Sequence, residues 1–348
     1  MIKQIDIRHF RAFQKVTIPE CAFINLIVGD NGSGKTSLLE ALFLAGGNSP
    51  ELAMRTKIWR GFSFSGSGGD SEVHENLWSD LFFENKITED VWIRMQGTYT
   101  RTLTIKRVSG GAPIQSSKMG PQIVYDGVPS FQFHWKGPTG FDSVKTPRIE
   151  DGKLHIGGGG ETPVKVAFFA ANQTVPTAET VNRFSQISKA GNKSEVLAQF
   201  ARLFDDIEDM SIEINGAVPM IYAKTQGARV SLPINLMSSG MSKLAAVLFA
   251  IPSVKGGYLL IDEIEGGFHY KKLPLVWKAI AKVARAYDVQ IFATTHSSEC
   301  IKAVAAFSEI EPSDFSLIRT VRTNGQSKVR QFSGDEFANA VAEDIEVR

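Results

Sequence analysis

The stretch Phe23-Ile-Asn-Leu-Ile-Val-Gly29-Asp-Asn-Gly-Ser-Gly-Lys35-Thr36-Ser37-Leu-Leu-Glu-Ala-Leu-Phe-Leu44 decides how the chain folds. It opens mostly apolar and β-prone, closes on strong helix formers, and is stopped by Gly46-Gly47. In between, Gly29 to Thr36 fits G-x-x-x-x-G-K-[ST] in the strand-loop-helix setting that the motif needs. Glycines let successive backbone N–H groups turn inward around phosphate oxygens, and the helix N-terminus adds partial positive charge. Lys35 then reaches the β- and γ-phosphates of a nucleotide, and Thr36 presents its hydroxyl to Mg²⁺.

Working outward, Tyr258-Leu-Leu-Ile-Asp262-Glu263 supplies the partner feature, a buried strand that ends in acid. Alone it reads as a strand followed by a solvated turn. Beside the phosphate loop, Asp262 is expected to hold the Mg²⁺ shell with Thr36, and Glu263 to polarise an attacking water. Ser238-Ser239-Gly240 opens a helix, where N–H groups and hydroxyls suit a γ-phosphate; taken alone it is an N-cap. His296 follows the strand Val289 to Ala293 and is placed to donate to the same phosphate, although a lone histidine is more often structural.

The remaining pattern is α/β. Ile2 to Ile18 reads as two short strands joined by a turn, and residues 51–165 as a β-rich antiparallel insertion. Its expected landmarks are a hairpin near Tyr125-Asp126-Gly127 and loop tips at 65–69, 109–117 and 157–160. Lys165 to Ala171 reads as a buried strand. One helical stretch is expected from Ala178 to Asp209, with Val196, Leu197, Phe200, Leu203 and Phe204 on one side, then two strands around Ile212 to Tyr222. Helices at Met241 to Phe249 and Leu273 to Tyr287 alternate with strands, which indicates a mostly parallel core sheet.

Composition excludes several classes. The 348 residues, 43% hydrophobic and 22% charged, suit a globular chain and not a disordered polymer. A net charge of +1 gives no global field for nucleic acid or an acidic membrane. Cys21 and Cys300 are too few for a disulfide framework or a cysteine-rich zinc site, and the strand-like start is no signal peptide, so the expected location is cytoplasmic with no membrane.

In this order the motifs resemble the ABC-type ATPase heads of the RecF/SMC/OLD class, over nearly the whole chain. Ile5-Asp-Ile-Arg-His-Phe-Arg-Ala-Phe13 looks like the first strand pair of that class, Gly29 to Thr36 like its Walker A loop and Leu259 to Glu263 like Walker B. Ser238-Ser-Gly240 is similar to the signature motif, with Met241 where a second glycine is usual, Glu265-Gly-Gly-Phe-His269 sits at the D-loop, and His296 matches the switch histidine. Gln173 falls at the Q-loop glutamine and would sense Mg²⁺; Arg11 either lies near the nucleotide or is a solvated turn residue.

The resemblance implies a P-loop NTPase in which residues 1–348 form a single head. Residues 1–50 and 241–348 would be its nucleotide-binding core, 51–165 its β-rich insertion and 175–240 its helical and signature lobe. It implies a Mg²⁺-dependent ATPase that holds ATP through Gly29, Asn31, Gly32, Ser33, Gly34, Lys35, Thr36 and Ser37. Ser238, Ser239 and Gly240 of a second copy would complete each site, in a homodimer or higher oligomer. Ile261-Asp-Glu-Ile-Glu-Gly-Gly-Phe-His269 and Asp344-Ile-Glu-Val-Arg348 look closest to the single-chain OLD-like ATPases of bacterial defence, among them the PARIS type. Too little chain follows His296 for a Toprim nuclease, so a separate effector, such as a nuclease, is the implied partner in anti-phage defence. The alternative is a RecF-like DNA-repair protein that grips duplex DNA. A hexameric AAA+ motor and a transporter ATPase fit the motifs less well.

Overall fold

The computed structural model describes residues 1–62, 75–108, 130–150, 153–156, 164–171, 177–204, 206–305 and 311–342. From the N-terminus run β1 (Ile2–Phe10), β2 (Phe13–Ile18), β3 (Ile24–Val28), α1 (Lys35–Gly46) and α2 (Glu51–Trp59). Then come β4 (Val91–Gly97), β5 (Thr100–Val108), β6 (Ser130–Lys136), β7 (Asp142–Lys145), β8 (Arg148–Glu150), β9 (Lys153–His155) and β10 (Val166–Phe169). Helices α3 (Thr177–Lys189) and α4 (Lys193–Ala201) lead to β11 (Ile207–Asn215), β12 (Val218–Thr225), β13 (Leu232–Pro233), α5 (Ile234–Met237) and α6 (Ser239–Ala250). The last part holds β14 (Tyr258–Ile261), α7 (Leu273–Ala286), β15 (Gln290–Thr294), α8 (Ser298–Ala305), β16 (Phe315–Thr323), β17 (Gln326–Ser333) and α9 (Gly334–Ala342).

The core sheet has the order β10-β14-β15-β3-β16-β17 and is parallel except for β17. Alternate residues divide its two faces. Leu26, Leu259, Ile261, Ile291 and Leu317 join the core formed with α3, α4, α6, α7 and α8, whereas Ile27, Leu260, Phe292 and Ile318 face α1. A second, antiparallel sheet, ordered β2-β1-β4-β5-β6-β7, covers the other side of α1. This sandwich explains why α1 buries apolar residues on both sides: Leu38, Leu39, Leu42, Phe43 and Leu44 are all buried between two sheets. The carbonyls near its end are taken by side chains, Leu42 O by Tyr258 Oη, Leu44 O by Trp135 Nε1, and Ala45 O by the fully buried Arg101.

Three expectations change. The hairpin β1–β2 pairs with β4, so the strands of 51–165 extend a sheet begun by the first residues, and the division at 50/51 cuts through one sheet. The single helical stretch 178–209 is two helices and the start of a strand, because Gly191 adopts φ 78 between α3 and α4 and β11 begins at Ile207. The hairpin β16–β17 was not anticipated, and β16 forms the edge of the parallel array beside β3. The Tyr125–Gly127 turn, the three loop tips and Asp344 to Arg348 lie outside the described residues. Among the described residues no helix is long and apolar enough to cross a membrane.

The Arg11 side chain is buried, 7% exposed, and is not a solvated turn residue. In the β1–β2 turn its guanidinium donates to Glu40 on α1 (2.5 Å) and to Thr56 on α2 (3.2 Å), with Asp80 at 3.7 Å. Burial pushes the Glu40 carboxyl above the usual carboxylate range, and the Arg11 and Arg60 guanidiniums work against that shift. This cluster clamps the helix of the phosphate loop to the antiparallel sheet. Glu40→Ala leaves a buried guanidinium short of its closest anion and is expected to cost about 3 kcal/mol. A clear fall in the urea midpoint checks it, and an unchanged midpoint would show that Asp80 and Thr56 hold Arg11 alone.

Candidate functional site

The site lies at the C-terminal ends of β3, β14 and β15, where parallel strands deliver their following loops to one edge. Gly29 (φ 137) and Gly34 (φ 105) are both left-handed and crowded. A Cβ at Gly29 would lie 2.1 Å from Thr320 O, and one at Gly34 would lie 2.9 Å from the Phe13 ring. Ser33 is buried and shares a 2.6 Å hydrogen bond with Thr320 of β16, while Asn31 and Gly32 are exposed at the loop tip and Ser37 is buried in the first turn of α1. Thr320 is a contributor that the sequence reading missed.

Lys35 Nζ donates to Gly29 O (2.5 Å) and Asp30 O (2.8 Å), folded back over the loop. Burial pushes its ammonium below the ordinary lysine range, opposed by Asp262, Asp30, Glu263 and Glu265. A polyanion entering the cradle would restore the favourable partner that burial removes.

Thr36 and Asp262 are 226 residues apart in sequence, yet Thr36 Oγ1 donates to Asp262 Oδ2 at 3.0 Å. Asp262 is 6% exposed and accepts a second, 2.6 Å bond from Thr294 Oγ1 at the end of β15. Adjacent corners of an octahedron with bonds of about 2.1 Å lie about 3.0 Å apart, so this hydroxyl and carboxylate fit two Mg²⁺ ligands. Among the described residues no group of three His, Cys, Asp or Glu side chains is placed to hold a metal. A single carboxylate with a hydroxyl suits an ion that takes its other ligands from phosphates and water.

Glu263 has φ 49, a left-handed conformation that costs a glutamate about 1–3 kcal/mol. Its N–H donates to Thr294 Oγ1 (2.8 Å) and its carbonyl accepts from Lys243 Nζ (2.6 Å). The half-exposed carboxylate lies 3.8 Å from His296 Nε2, so Glu263 and His296 do converge. The His296 backbone N–H is held by Glu265 Oε1 at 2.8 Å. Thr294 and Lys243 were missed as contributors, and Glu265 was placed only at the D-loop with no role of its own. Thr294 carries a signal in hindsight, a hydroxyl closing an otherwise apolar strand beside His296.

The signature residues stand apart. Ser238 is the N-cap of α6, and Gly240 packs against Gly267, where a Cβ would lie 2.3 Å from the carbonyl oxygen. Ser239 lines a cavity of about 430 Å³ with Phe169, Lys243, Gly266 and Gly267, and no phosphate-loop residue lines it. Among the described residues no hydrogen bond joins Ser238–Gly240 to Gly29–Ser37. Gln173 lies outside the described residues.

The strand order, the loop and the Thr36–Asp262 contact can now be set beside known proteins. A solved structure, an Smc head bound to the C-winged helix domain of ScpA, superposes with TM-score 0.50 at 17% identity, covering 95% of this chain and 98% of that one. The chain has the fold of an ABC-type ATPase head. Residues 4–121 of this head match a family model described as an AAA domain, and residues 168–301 one described as an AAA domain, putative AbiEii toxin, Type IV TA system. An ATP/GTP phosphatase of Helicobacter pylori is 21% identical over 338 residues, covering 87% of each chain. The DNA replication and repair protein RecF of Idiomarina loihiensis is 53% identical over 45 residues, which is 13% of each.

Proposed function

We propose that this head binds ATP with Mg²⁺ and hydrolyses it in a site completed by the signature serine of a second copy, and that the resulting opening and closing controls a separate effector in bacterial anti-phage defence. The observation that carries this reading is the Thr36–Asp262–Thr294 cluster with Glu263 and His296 beside it. A metal-holding pair, a candidate water-activating carboxylate and a hydrogen-bond donor meet at the rim of a phosphate loop. When bound, Mg²⁺ would neutralise charge on the β- and γ-phosphates, with Thr36 and Asp262 as its protein ligands. Lys35 would bind the same phosphates, Glu263 would orient water and take its proton, and His296 would donate to the γ-phosphate oxygen. Among the described residues Ser239 makes no hydrogen bond to the phosphate loop of its own chain and lines a cavity that this loop does not reach, which supports a signature that serves another copy. The match to the putative AbiEii toxin model and the OLD-like motifs support the defence role.

A second reading, a DNA-repair protein like RecF, is favoured by the 45-residue RecF match and by the outer face of the antiparallel sheet. Arg8, Lys15, Lys106 and Lys136 share that face, where Trp92 lies between the guanidiniums of Arg8 (4.9 Å) and Arg94 (5.4 Å). Purification of the native protein with and without ATP separates the two. The effector reading expects a stoichiometric co-purifying protein. Duplex-DNA binding that depends on ATP and falls steeply between about 50 and 200 mM salt would favour repair instead. Sedimentation of the ATP-loaded protein tests the shared premise, for a strict monomer at high concentration would overturn both.

A further inference from the structure

We propose that Lys243 is a positioning residue, which holds the backbone of Glu263 in the conformation from which its carboxylate acts and so ties the signature helix to the water-activating group of its own chain. The inference rests on the reading of Glu263 given above. Lys243 lies on α6, one helical turn after Ser239, and both line the same cavity. Its Nζ donates to the Glu263 carbonyl at 2.6 Å, while the Glu263 N–H is held by Thr294 Oγ1 at 2.8 Å. The two peptide groups flanking the Glu263 Cα are therefore gripped from different elements, α6 and β15. Between them the residue keeps φ 49, which glutamate adopts only when its surroundings impose it.

The following turn is shaped to admit the lysine. A Cβ at Gly266 would lie 3.0 Å from Lys243 Nζ, so a larger residue there would shift the ammonium by a few tenths of an ångström. Glu265, Glu263 and Asp262 surround it with negative charge and draw its ionisation upward, while burial, the larger influence, lowers it. A charge-assisted bond to a carbonyl is short and directional, and a four-carbon stem spans the gap from α6 without entering the phosphate loop. Without it the Glu263 carbonyl keeps the bond from the Gly266 N–H (2.9 Å) but loses its charged partner, which loosens the peptide that carries the carboxylate beside His296. Because α6 carries Ser239 as well, anything that shifts this helix at the signature end also shifts the grip on Glu263.

The test is steady-state ATPase kinetics with separate measurement of ATP affinity on Lys243→Met, Lys243→Gln and Lys243→Arg, each also combined with Glu263→Gln. Lys243→Met and Lys243→Gln are expected to lower kcat at least about thirtyfold with KM and ATP affinity within about threefold of wild type, the split produced by loss of an interaction made in the reaction and not in binding. Lys243→Arg is expected to recover most of the rate. In the Glu263→Gln background Lys243→Met should cost less than about threefold more, since a residue that acts through Glu263 has little left to remove. Equal losses with and without Glu263, unchanged kcat, or loss of ATP binding in both neutral variants would each overturn the role of Lys243. A Glu263→Gln protein with wild-type turnover would instead overturn the assignment of Glu263, which distinguishes the two failures.

Discussion

Glu263→Gln is expected to bind ATP as tightly as the wild type and to turn it over at least about a hundredfold more slowly, the typical contribution of a general base. The contacts explain why binding survives. Lys243 and Thr294 hold the main chain of residue 263, and Lys35, Thr36 and Asp262 make no hydrogen bond to its side chain. An amide keeps the shape but cannot accept the proton of an attacking water, so the loss falls on the chemical step, where a hundredfold corresponds to about 2.7 kcal/mol. Phosphate release measured beside nucleotide affinity checks both halves. Unchanged turnover would remove Glu263 from the reaction, and lost affinity would mean that the residue supports the site and does not act in it.

Mixing Lys35→Ala with Ser239→Arg is expected to restore hydrolysis that neither variant shows alone. Lys35→Ala removes the buried ammonium that lies over Gly29 and Asp30, and Ser239→Arg places a long cation in the cavity beside Gly266 and Gly267. In a head-to-tail pair of one of each, one site combines both lesions and the other has an intact phosphate loop facing an intact signature. Random pairing at equal amounts therefore gives roughly a quarter of the wild-type rate per chain if sites act independently. Silence in pairs shown to be mixed would mean that each chain works by itself.

Much of the fold could be read from periodicity and turn chemistry. The phosphate loop, β14 and α7 came through because each is encoded within a run of at most 14 neighbouring residues. The β16–β17 hairpin was overlooked although Asn324-Gly325, with φ 51 and 79, is the turn that such a hairpin favours. The break at Gly191 was overlooked although the apolar residues before it, Val181, Phe184 and Ile187, are well out of helical phase with Val196, Phe200 and Leu203 after it. That strong helix formers follow the phosphate loop was visible, but which layers enclose α1 was not, since two sheets assembled from distant strands provide them.

What the sequence determined by itself is the chemistry available: a glycine loop with Lys35 and Thr36, an acidic pair after an apolar strand, and a histidine after another. Contiguity is sufficient there, because local backbone preferences already place those groups. Only the tertiary structure decided which of them meet. The parallel register that sets Thr294 opposite Ile27 and Ile261 opposite Ala293 brings Thr36, Asp262 and Thr294 together. The packing of α6 against the turn after β14 puts Lys243 on the carbonyl of Glu263. Contacts that span 20 to more than 200 residues depend on strand order and helix packing, which no local run of residues specifies.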